Sequence, residues 1–328
     1  MAEASPATGT VNTVLGPVPA EELGVVAVHE SLLSVYPGAE YGYDVTIDKA
    51  AIFDTLKHKL TAFKNAGGGT IVDSTGMFHG RDVYLYESLA KATGVHVIAS
   101  TGQGPEAMLG GYFLTPQTNP PTPWPAEKFA NLFTAEVTEG MVVPRIERRA
   151  SAGLVTTAGT RAGLTETDES LFRGAARAAA STDTAASFRY GADAAAELEI
   201  ILSEGLDQSR VLIGGLDRRQ AVDAGYPDAV AERGAFVGID HVGVNDDEEL
   251  LRDDERVALV LELVAAGHAD KIILSSNSTG VAVAHKDNGV AYTAVLEQFI
   301  PAATAAGLSD KDARRILVDN PRTLLAGK

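Results

Sequence analysis

The sequence contains no cysteine, one tryptophan and only four methionines among its 328 residues. Without cysteine the chain can form no disulfide bond, and it offers neither a thiolate metal ligand nor a thiolate nucleophile. A reducing, cytoplasmic location is therefore the expectation. No apolar run is long enough to span a bilayer, and the first residues lack the basic and apolar segments of a secretory signal peptide.

Positive charge is also scarce. Against 44 aspartates and glutamates stand only 27 lysines and arginines, and the formal net charge is −17 at pH 7. A chain of this charge is repelled by nucleic acid and by anionic membranes, so we expect a small-molecule substrate as its partner. With 45% hydrophobic and 22% charged residues, the composition is typical of a large globular domain with a substantial core.

Eight short apolar segments alternate with segments of helical spacing. The predicted strands cover residues 25–29, 70–75, 95–100, 153–157, 185–190, 211–215, 235–241 and 271–277. Near-continuous apolar strands are typical of a buried parallel sheet. Eight such units in a chain of this length favour an α/β fold of the (β/α)8 TIM-barrel type over a flavodoxin-like sheet. Catalytic side chains are then expected at the carboxyl ends of the strands.

The pattern predicts a single barrel domain over residues 1–328, with two additions. Residues 1–23 form an N-terminal edge ribbon. Residues 102–126 form a long loop rich in glycine and proline that carries the aromatic residues Tyr112 and Trp124. Long loops in compact domains are usually functional, and the aromatic residues favour a lid over this end of the barrel.

Six segments spread over nearly the whole chain resemble the phosphotriesterase family of the amidohydrolase superfamily. They begin with Thr13-Val-Leu-Gly-Pro-Val-Pro and continue with residues 69–75, 80–82, 209–214, 238–241 and 318–321. The resemblance implies a (β/α)8 barrel that forms a homodimer. It also implies a binuclear metal centre, usually zinc, whose bridging hydroxide hydrolyses phosphotriesters, lactones or related esters.

The metal ligands that the resemblance implies are mostly replaced in this chain. The first strand of the family ends in His-x-His, of which His29 is retained. The other positions have changed: the second histidine to Ser31, the carboxylated lysine to Thr156, the strand-five histidine to Arg189, the strand-six histidine to Gly215, and the aspartate after strand eight to Asn277. Two divalent ions need imidazole and anionic ligands, and a guanidinium repels them. The sequence therefore predicts no metal and no other cofactor.

Two histidines are candidates for acid–base chemistry. His29 ends strand one and should point into the barrel mouth; the alternative is an inert histidine retained from ancestry. His241 follows Asp240 at the end of strand seven, where the resemblance implies a proton-shuttle histidine. The aspartate that usually partners it is here Asn277. We expect His29, His241 and Asn277 to take part in catalysis.

Arg189 is the candidate anchor for a ligand. A guanidinium at an inward-facing strand end is costly unless it is paired. It either binds a carboxylate or phosphate group of the ligand or fills the vacated metal site and pairs with Asp217 or Glu30. The other expected ligand-binding residues are Ser31, Thr156, Tyr190, Asp217, Tyr112 and Trp124.

Three functions remain open from the sequence. The first is a metal-independent enzyme, a hydrolase, lyase or isomerase, acting on a small anionic or carbonyl-bearing substrate. The second is a non-catalytic binding or partner protein. The third is an ester or lactone hydrolase with one weakly held ion on His29 and His241. A serine or threonine nucleophile at Ser31 or Thr156 needs an adjacent base, and no Gly-x-Ser-x-Gly motif supports one.

Overall fold

A computed structural model describes residues 9–109, 114–115, 118–119, 121–143 and 146–326. Nine parallel strands form one curled sheet, and in chain order they are β1 Val25–Val35, β2 Gly68–Asp73, β3 His96–Gln103, β4 Leu154–Ala158, β5 Ala185–Arg189, β6 Val211–Gly214, β7 Phe236–Ile239, β8 Ile272–Leu274 and β9 Thr279–Val283. Their spatial order is β8-β7-β6-β5-β4-β3-β2-β1-β9. The eight predicted strands are confirmed, with β1 longer and β8 shorter than predicted.

The sheet closes into a barrel at the seam between β8 and β1. The backbone N–H of His29 donates to Oγ of Ser275 at 3.0 Å. The buried carboxyl of Glu30 accepts from the backbone N–H groups of Ser276 at 3.0 Å and Ser278 at 2.6 Å. The sequence did not predict β9, which pairs in parallel with β1 from Thr279 onward. The bonds of His29 and Glu30 replace a regular hydrogen-bond ladder between β8 and β1. The sheet therefore closes, and the predicted (β/α)8 class is confirmed.

Helices surround this barrel. The α-helices are Lys49–Asn65, Val83–Thr93, Glu106–Leu109, Ala126–Thr138, Glu166–Thr182, Ala194–Ser203, Arg219–Asp223, Tyr226–Glu232, Asp253–Ala265, Ile300–Ala305, Asp310–Arg314 and Asn320–Leu325. Side chains cap several of them; Asp48, for example, accepts from Ala50 N and Ala51 N. π-Helical turns cover Val295–Phe299 and Arg315–Asp319. No helix in these described stretches is long and apolar enough to cross a bilayer.

The ends of the chain close the bottom of the barrel. Residues 1–8 of the predicted ribbon lie outside the described residues, and the rest contains a hairpin in which Thr10–Thr13 pairs with Gly16–Pro19. Val11 and Leu324 pack with the apolar floor of the barrel interior, whose strand residues are Val28, Val72, Ile98, Leu154, Ala185, Leu212, Phe236 and Ile273. The open end of the barrel is therefore the carboxyl end of the strands.

Above this floor the barrel interior becomes small and polar. Side chains two residues apart along a strand share a face. In seven strands the residues that follow the floor residues by two are Ser74, Ser100, Thr156, Ser187, Gly214, Gly238 and Ser275. In β1 a register irregularity between Ala27 and Glu30 breaks the alternation, and His29 and Ser31 line the cavity instead. Arg189, at the end of β5, and Asp240, just after β7, each follow a residue of this layer by two and lie nearer the mouth. A barrel usually fills such layers with branched apolar residues, so a polar layer marks the level at which chemistry begins.

The predicted lid covering 102–126 is only partly described. Residues 102 and 103 belong to β3, so β3 runs further than the prediction. Glu106–Leu109 forms one helical turn, and Leu114–Thr115 pairs with Thr122–Pro123. Tyr112 lies outside the described residues. The described parts thus carry regular structure at both ends of the segment.

The barrel seam makes stability depend on pH through Glu30. Burial raises the pKa of Glu30 to about 8, although the amide bonds from Ser276 and Ser278 oppose the rise. The folded state therefore holds this proton more tightly than the unfolded state, whose value is near 4.5. The contribution is full at acidic pH and is lost as pH rises toward 8.

We predict that Glu30→Gln removes this loss, which amounts to a few kcal/mol between about pH 5 and pH 8. The variant also leaves one seam N–H facing an amide N–H, so it should be less stable than wild type at acidic pH. Denaturant unfolding at several pH values measures both effects, with the exposed Glu262→Gln as control. The prediction would be contradicted if the difference in unfolding free energy between wild type and Glu30→Gln did not vary with pH.

Candidate active site

A cavity of about 390 Å³ opens at the carboxyl ends of the strands. Five of the predicted site residues line it, namely His29, Ser31, Thr156, Arg189 and Asn277. They come from β1, β4, β5 and the turn after β8, which approach one another because parallel strands end at the same rim. Asn277 adopts a left-handed backbone with φ of 47°, a conformation that asparagine tolerates better than most residues.

His29 lies at the bottom of the cavity between two polar side chains. Its Nδ1 is 2.8 Å from Oδ1 of Asp240, an ion-pair contact rather than a hydrogen bond, since neither atom has a hydrogen-bond partner in the described residues. Its Nε2 is in hydrogen-bond contact with Oγ of Ser187. Each ring nitrogen therefore has a polar neighbour, and these two contacts orient the imidazole of His29.

Asp240 provides a fixed negative charge behind His29. It is fully buried, and its second oxygen accepts from the backbone N–H of Gly215 at 2.6 Å. Burial raises the pKa of Asp240, and the contact with His29 lowers it. The lowering outweighs the rise, so the pKa of Asp240 lies below the ordinary value. Asp240 thus remains ionised and can hold the Nδ1 proton of His29.

Gly214 allows this arrangement. A Cβ atom at that position would lie 2.6 Å from Oδ2 of Asp240 and 2.7 Å from Cε1 of His29. Those distances are shorter than any side chain tolerates. The glycine is therefore required for the His29–Asp240 contact. In the sequence, the feature that permits this contact is the Gly214-Gly215 pair at the end of β6.

Arg189 faces the cavity without an ion-pair partner. No carboxylate of the described residues lies within ion-pair distance of its guanidinium, so the structure does not show the alternative in which Arg189 pairs with Asp217 or Glu30. Glu30 is bound to the seam amides, and Asp217 is held by Arg256. Burial lowers the pKa of Arg189, Asp240 opposes this shift and Arg218 adds to it. An arginine keeps its charge under such shifts, so the cavity contains an uncompensated cation.

His241 belongs to a separate buried network. Its Nδ1 lies 2.7 Å from Oδ1 of Asp217, whose other oxygen accepts from Nε of Arg256 at 2.8 Å. Burial raises the pKa of Asp217, but His241 and Arg256 hold it well below the ordinary value. Neither His241 nor Asp217 is among the residues that line the cavity in the described part of the chain.

Two of the predicted aromatic residues, Tyr190 and Trp124, are not among the described residues that line the cavity. Tyr190 is buried, and Arg218 stacks on its ring with the guanidinium carbon 4.7 Å from the ring centroid. Trp124 packs against Phe129, 5.7 Å between ring centroids. The rings of Tyr190 and Trp124 thus make packing contacts within the described structure.

Further residues that were not among the predicted site residues also line the cavity. Ser187 contacts His29, and the side chains of His79, Gln103 and Thr157 each have a buried polar atom without a hydrogen-bond partner in the described residues. Burial, and then the nearby His285, lower the pKa of His79, which favours its neutral form. Buried polar atoms normally have partners, so three unpartnered ones around one cavity indicate a place for ligand atoms.

Comparisons with known proteins agree with this architecture. The phosphotriesterase family model matches residues 9–325. An N-acetyltaurine hydrolase from Tetraodon nigroviridis is 27% identical, with 98% of this chain and 99% of that protein aligned. A phosphotriesterase homology protein from Mycobacterium tuberculosis is 29% identical, with 96% of this chain and 97% of that protein aligned.

The fold has close structural counterparts. Organophosphorus hydrolase from Deinococcus radiodurans superposes with a TM-score of 0.85 and covers 99% of this chain and 100% of its own. Its sequence identity is 23%, so this likeness supports the fold alone.

The residues at the barrel mouth do not fit a binuclear metal centre. In the part of the chain that the structure describes, no group of three or more histidine, aspartate or glutamate side chains is placed to hold an ion. Nε2 of His29 contacts Oγ of Ser187, and its Nδ1 lies against Asp240. Gly215 has a φ of +78°, and a side chain there would begin 3.3 Å from Arg218. An uncompensated guanidinium at Arg189 adds repulsion to this poor donor set.

We predict that protein expressed with added zinc contains well under one equivalent of zinc, cobalt, manganese or iron per chain. A zinc site takes three or four protein ligands, and this cavity offers too few. Elemental analysis of purified protein measures the content, with carbonic anhydrase carried through the same dialysis as a positive control. Two tightly held ions per chain would contradict the prediction.

Proposed function

Because the chain belongs to the phosphotriesterase family, we propose that it is a hydrolase, and that it acts without the family's metal centre. The observation that carries the proposal is the pairing, within one cavity, of an oriented His29 with an unpartnered Arg189. The first supplies acid–base chemistry, and the second supplies a binding site for negative charge. The likeness to an N-acetyltaurine hydrolase supports hydrolysis as the reaction class.

His29 acts as the general base and then as the general acid. The ionised Asp240 fixes the proton of His29 on Nδ1, which leaves the lone pair of Nε2 toward the cavity side. Nε2 accepts the proton of the attacking hydroxyl group and returns it to the leaving group. Positioned proton transfer of this kind typically contributes about 10²- to 10⁴-fold to the rate.

Arg189 binds an anionic group of the substrate. A guanidinium forms two parallel hydrogen bonds with a carboxylate, sulfonate or phosphate, and no protein carboxylate among the described residues competes for them. The unpartnered atoms of His79, Gln103 and Thr157 provide neutral hydrogen-bonding groups for the rest of the substrate. The favoured substrate is therefore a small ester or amide with an anionic group a few bonds from its carbonyl carbon.

N-acetyltaurine has these features, with an amide carbonyl separated from a sulfonate by one nitrogen and two carbons. Residues 187 and 189 share one face of β5, and such neighbours lie about 7 Å apart. The carbonyl carbon and the sulfur of this compound are separated by four bonds, a span short enough for both groups to lie along this strand face. We therefore propose small N-acyl amino sulfonates or carboxylates as the substrate class.

We predict that N-acetyltaurine is hydrolysed at least about 10-fold faster, as kcat/KM, than N-acetylethanolamine, in which a hydroxyl replaces the sulfonate. Loss of a hydrogen bond to a charged group costs about 1.5–3 kcal/mol, which corresponds to roughly 10- to 150-fold. Arg189→Lys and Arg189→Ala should both abolish this preference, because lysine lacks the two-pronged geometry. The exposed Arg233→Ala is the matched control.

Product release followed by chromatography measures these rates. Equal rates for both compounds, or a preference that survives Arg189→Ala, would remove Arg189 from substrate binding. A lower melting temperature in both Arg189 variants, with the preference unchanged, would assign the residue to stability instead.

We further predict that His29→Asn lowers kcat by at least about 100-fold, with a smaller change in KM, because the general base is removed. Asparagine retains a polar group beside Asp240, and thermal unfolding checks that the barrel remains folded. His58→Asn, on an exposed helix face, is the control and should keep wild-type turnover. Full activity of a folded His29→Asn variant would disprove acid–base catalysis by His29.

A further inference from the structure

We infer that Ser187 is the nucleophile of this site and carries the acyl group of the substrate as a covalent intermediate. The inference rests on the hydrolase function proposed above and names the group that attacks. Ser187 lies within β5, on the inward face two residues before Arg189, and it is one of the residues that line the cavity.

The three side chains of Asp240, His29 and Ser187 are connected in the order that a serine hydrolase requires. Oδ1 of Asp240 lies 2.8 Å from Nδ1 of His29, and the opposite ring nitrogen contacts Oγ of Ser187. The backbone N–H of Gly215 fixes the other aspartate oxygen. Aspartate orients the imidazole, the imidazole removes the serine proton, and the roles depend on geometry rather than on a sequence motif.

Among the described residues, the other hydroxyl groups of the cavity lack a base that a carboxylate orients. Ser34 contacts Nε2 of the exposed His285 at 2.9 Å, but the other ring nitrogen of His285 lies 2.9 Å from the carbonyl oxygen of Lys286. Ser31 accepts a hydrogen bond from Oγ1 of Thr75 at 3.2 Å, and Oγ1 of Thr157 has no hydrogen-bond partner in the described structure. A serine without an adjacent, oriented base is a weak nucleophile, so the contact with His29, which lies against Asp240, singles out Ser187.

Ser187 is nearly fully buried at 1% exposure, which fits a nucleophile at the floor of a cavity. The apolar residue Ala185 lies below it on the same strand face, and the guanidinium of Arg189 lies above it. An anionic group held by Arg189 would therefore place the nearby carbonyl carbon toward Oγ of Ser187. The serine lies inside a strand, so its activation comes from His29 rather than from a strained turn.

The reaction balances with water as the co-reactant. Oγ of Ser187 forms a bond to the carbonyl carbon while its proton passes to Nε2 of His29. The carbon–nitrogen or carbon–oxygen bond then breaks, and the amine or alcohol leaves with the proton from His29. Water next attacks the acyl-serine, gives a proton to His29 and releases the carboxylic acid, and Ser187 regains its proton.

A sulfonyl fluoride tests the nucleophile without knowledge of the substrate. Phenylmethanesulfonyl fluoride transfers its sulfonyl group to an activated serine oxygen and releases fluoride. Intact-mass spectrometry of the wild-type protein should show one added phenylmethanesulfonyl group, and peptide mapping should place it on Ser187. We expect Ser187→Ala to gain no such group and His29→Asn to react at least about 10-fold more slowly. Ser88→Ala, on an exposed helix, is the matched control and should react as wild type.

The outcomes separate this inference from the proposed function. A folded wild-type protein that is modified at another residue, or not at all, overturns the assignment of Ser187. The assignment also fails if Ser187→Ala hydrolyses N-acetyltaurine at the wild-type rate, because water then attacks directly with His29 as base. In that case the hydrolase function stands, whereas undiminished turnover by His29→Asn would overturn the function itself.

Discussion

The contact between Asp240 and His29 is the interaction on which the chemistry of this barrel depends. It connects the end of β7 with the middle of β1, inside the barrel, and it requires the glycine at position 214. A buried carboxylate is costly unless charged or hydrogen-bonding partners surround it. Here His29 and the amide of Gly215 supply them. The proposed relay to Ser187 follows because the second ring nitrogen of His29 has no other described partner.

The electrostatics of the site are consistent with chemistry that uses no divalent ion. A binuclear centre brings several positive charges, and its ligands are anionic or imidazole groups. This cavity instead has the guanidinium of Arg189, which has no described ion-pair partner, and a layer of serine, threonine and glycine below it. The exposed Lys286 and Asp287 also line the cavity and carry opposite charges. The second buried histidine, His241, is held with Asp217 and Arg256 in a network that does not line the cavity. The guanidinium of Arg189 suits an anionic substrate group.

The sequence predicted the strands and the family because both depend on patterns that extend over many residues. It also placed His29, Arg189 and Asn277 at the barrel mouth, since strand ends meet there. It did not single out Ser187, because a serine inside an apolar strand has no local signature; only the approach of β1 across the barrel brings His29 to it. For the same reason the absence of a described partner for Arg189 could not be foreseen. Pairing depends on where Asp217 and Glu30 point, and other partners hold both of them.

The tautomer of His29 tests the relay most directly, and it can be observed in the wild-type protein without a substrate. Nuclear magnetic resonance of protein labelled with ¹⁵N-histidine reports which ring nitrogen carries the proton, and the spectrum of His29→Asn assigns the signals. We expect the proton of His29 on Nδ1, with its signal shifted when Asp240 is changed to asparagine. Nε2 should be unprotonated and free to accept from Ser187. A proton on Nε2 instead would leave Ser187 without a base and would contradict the proposed chemistry of the site.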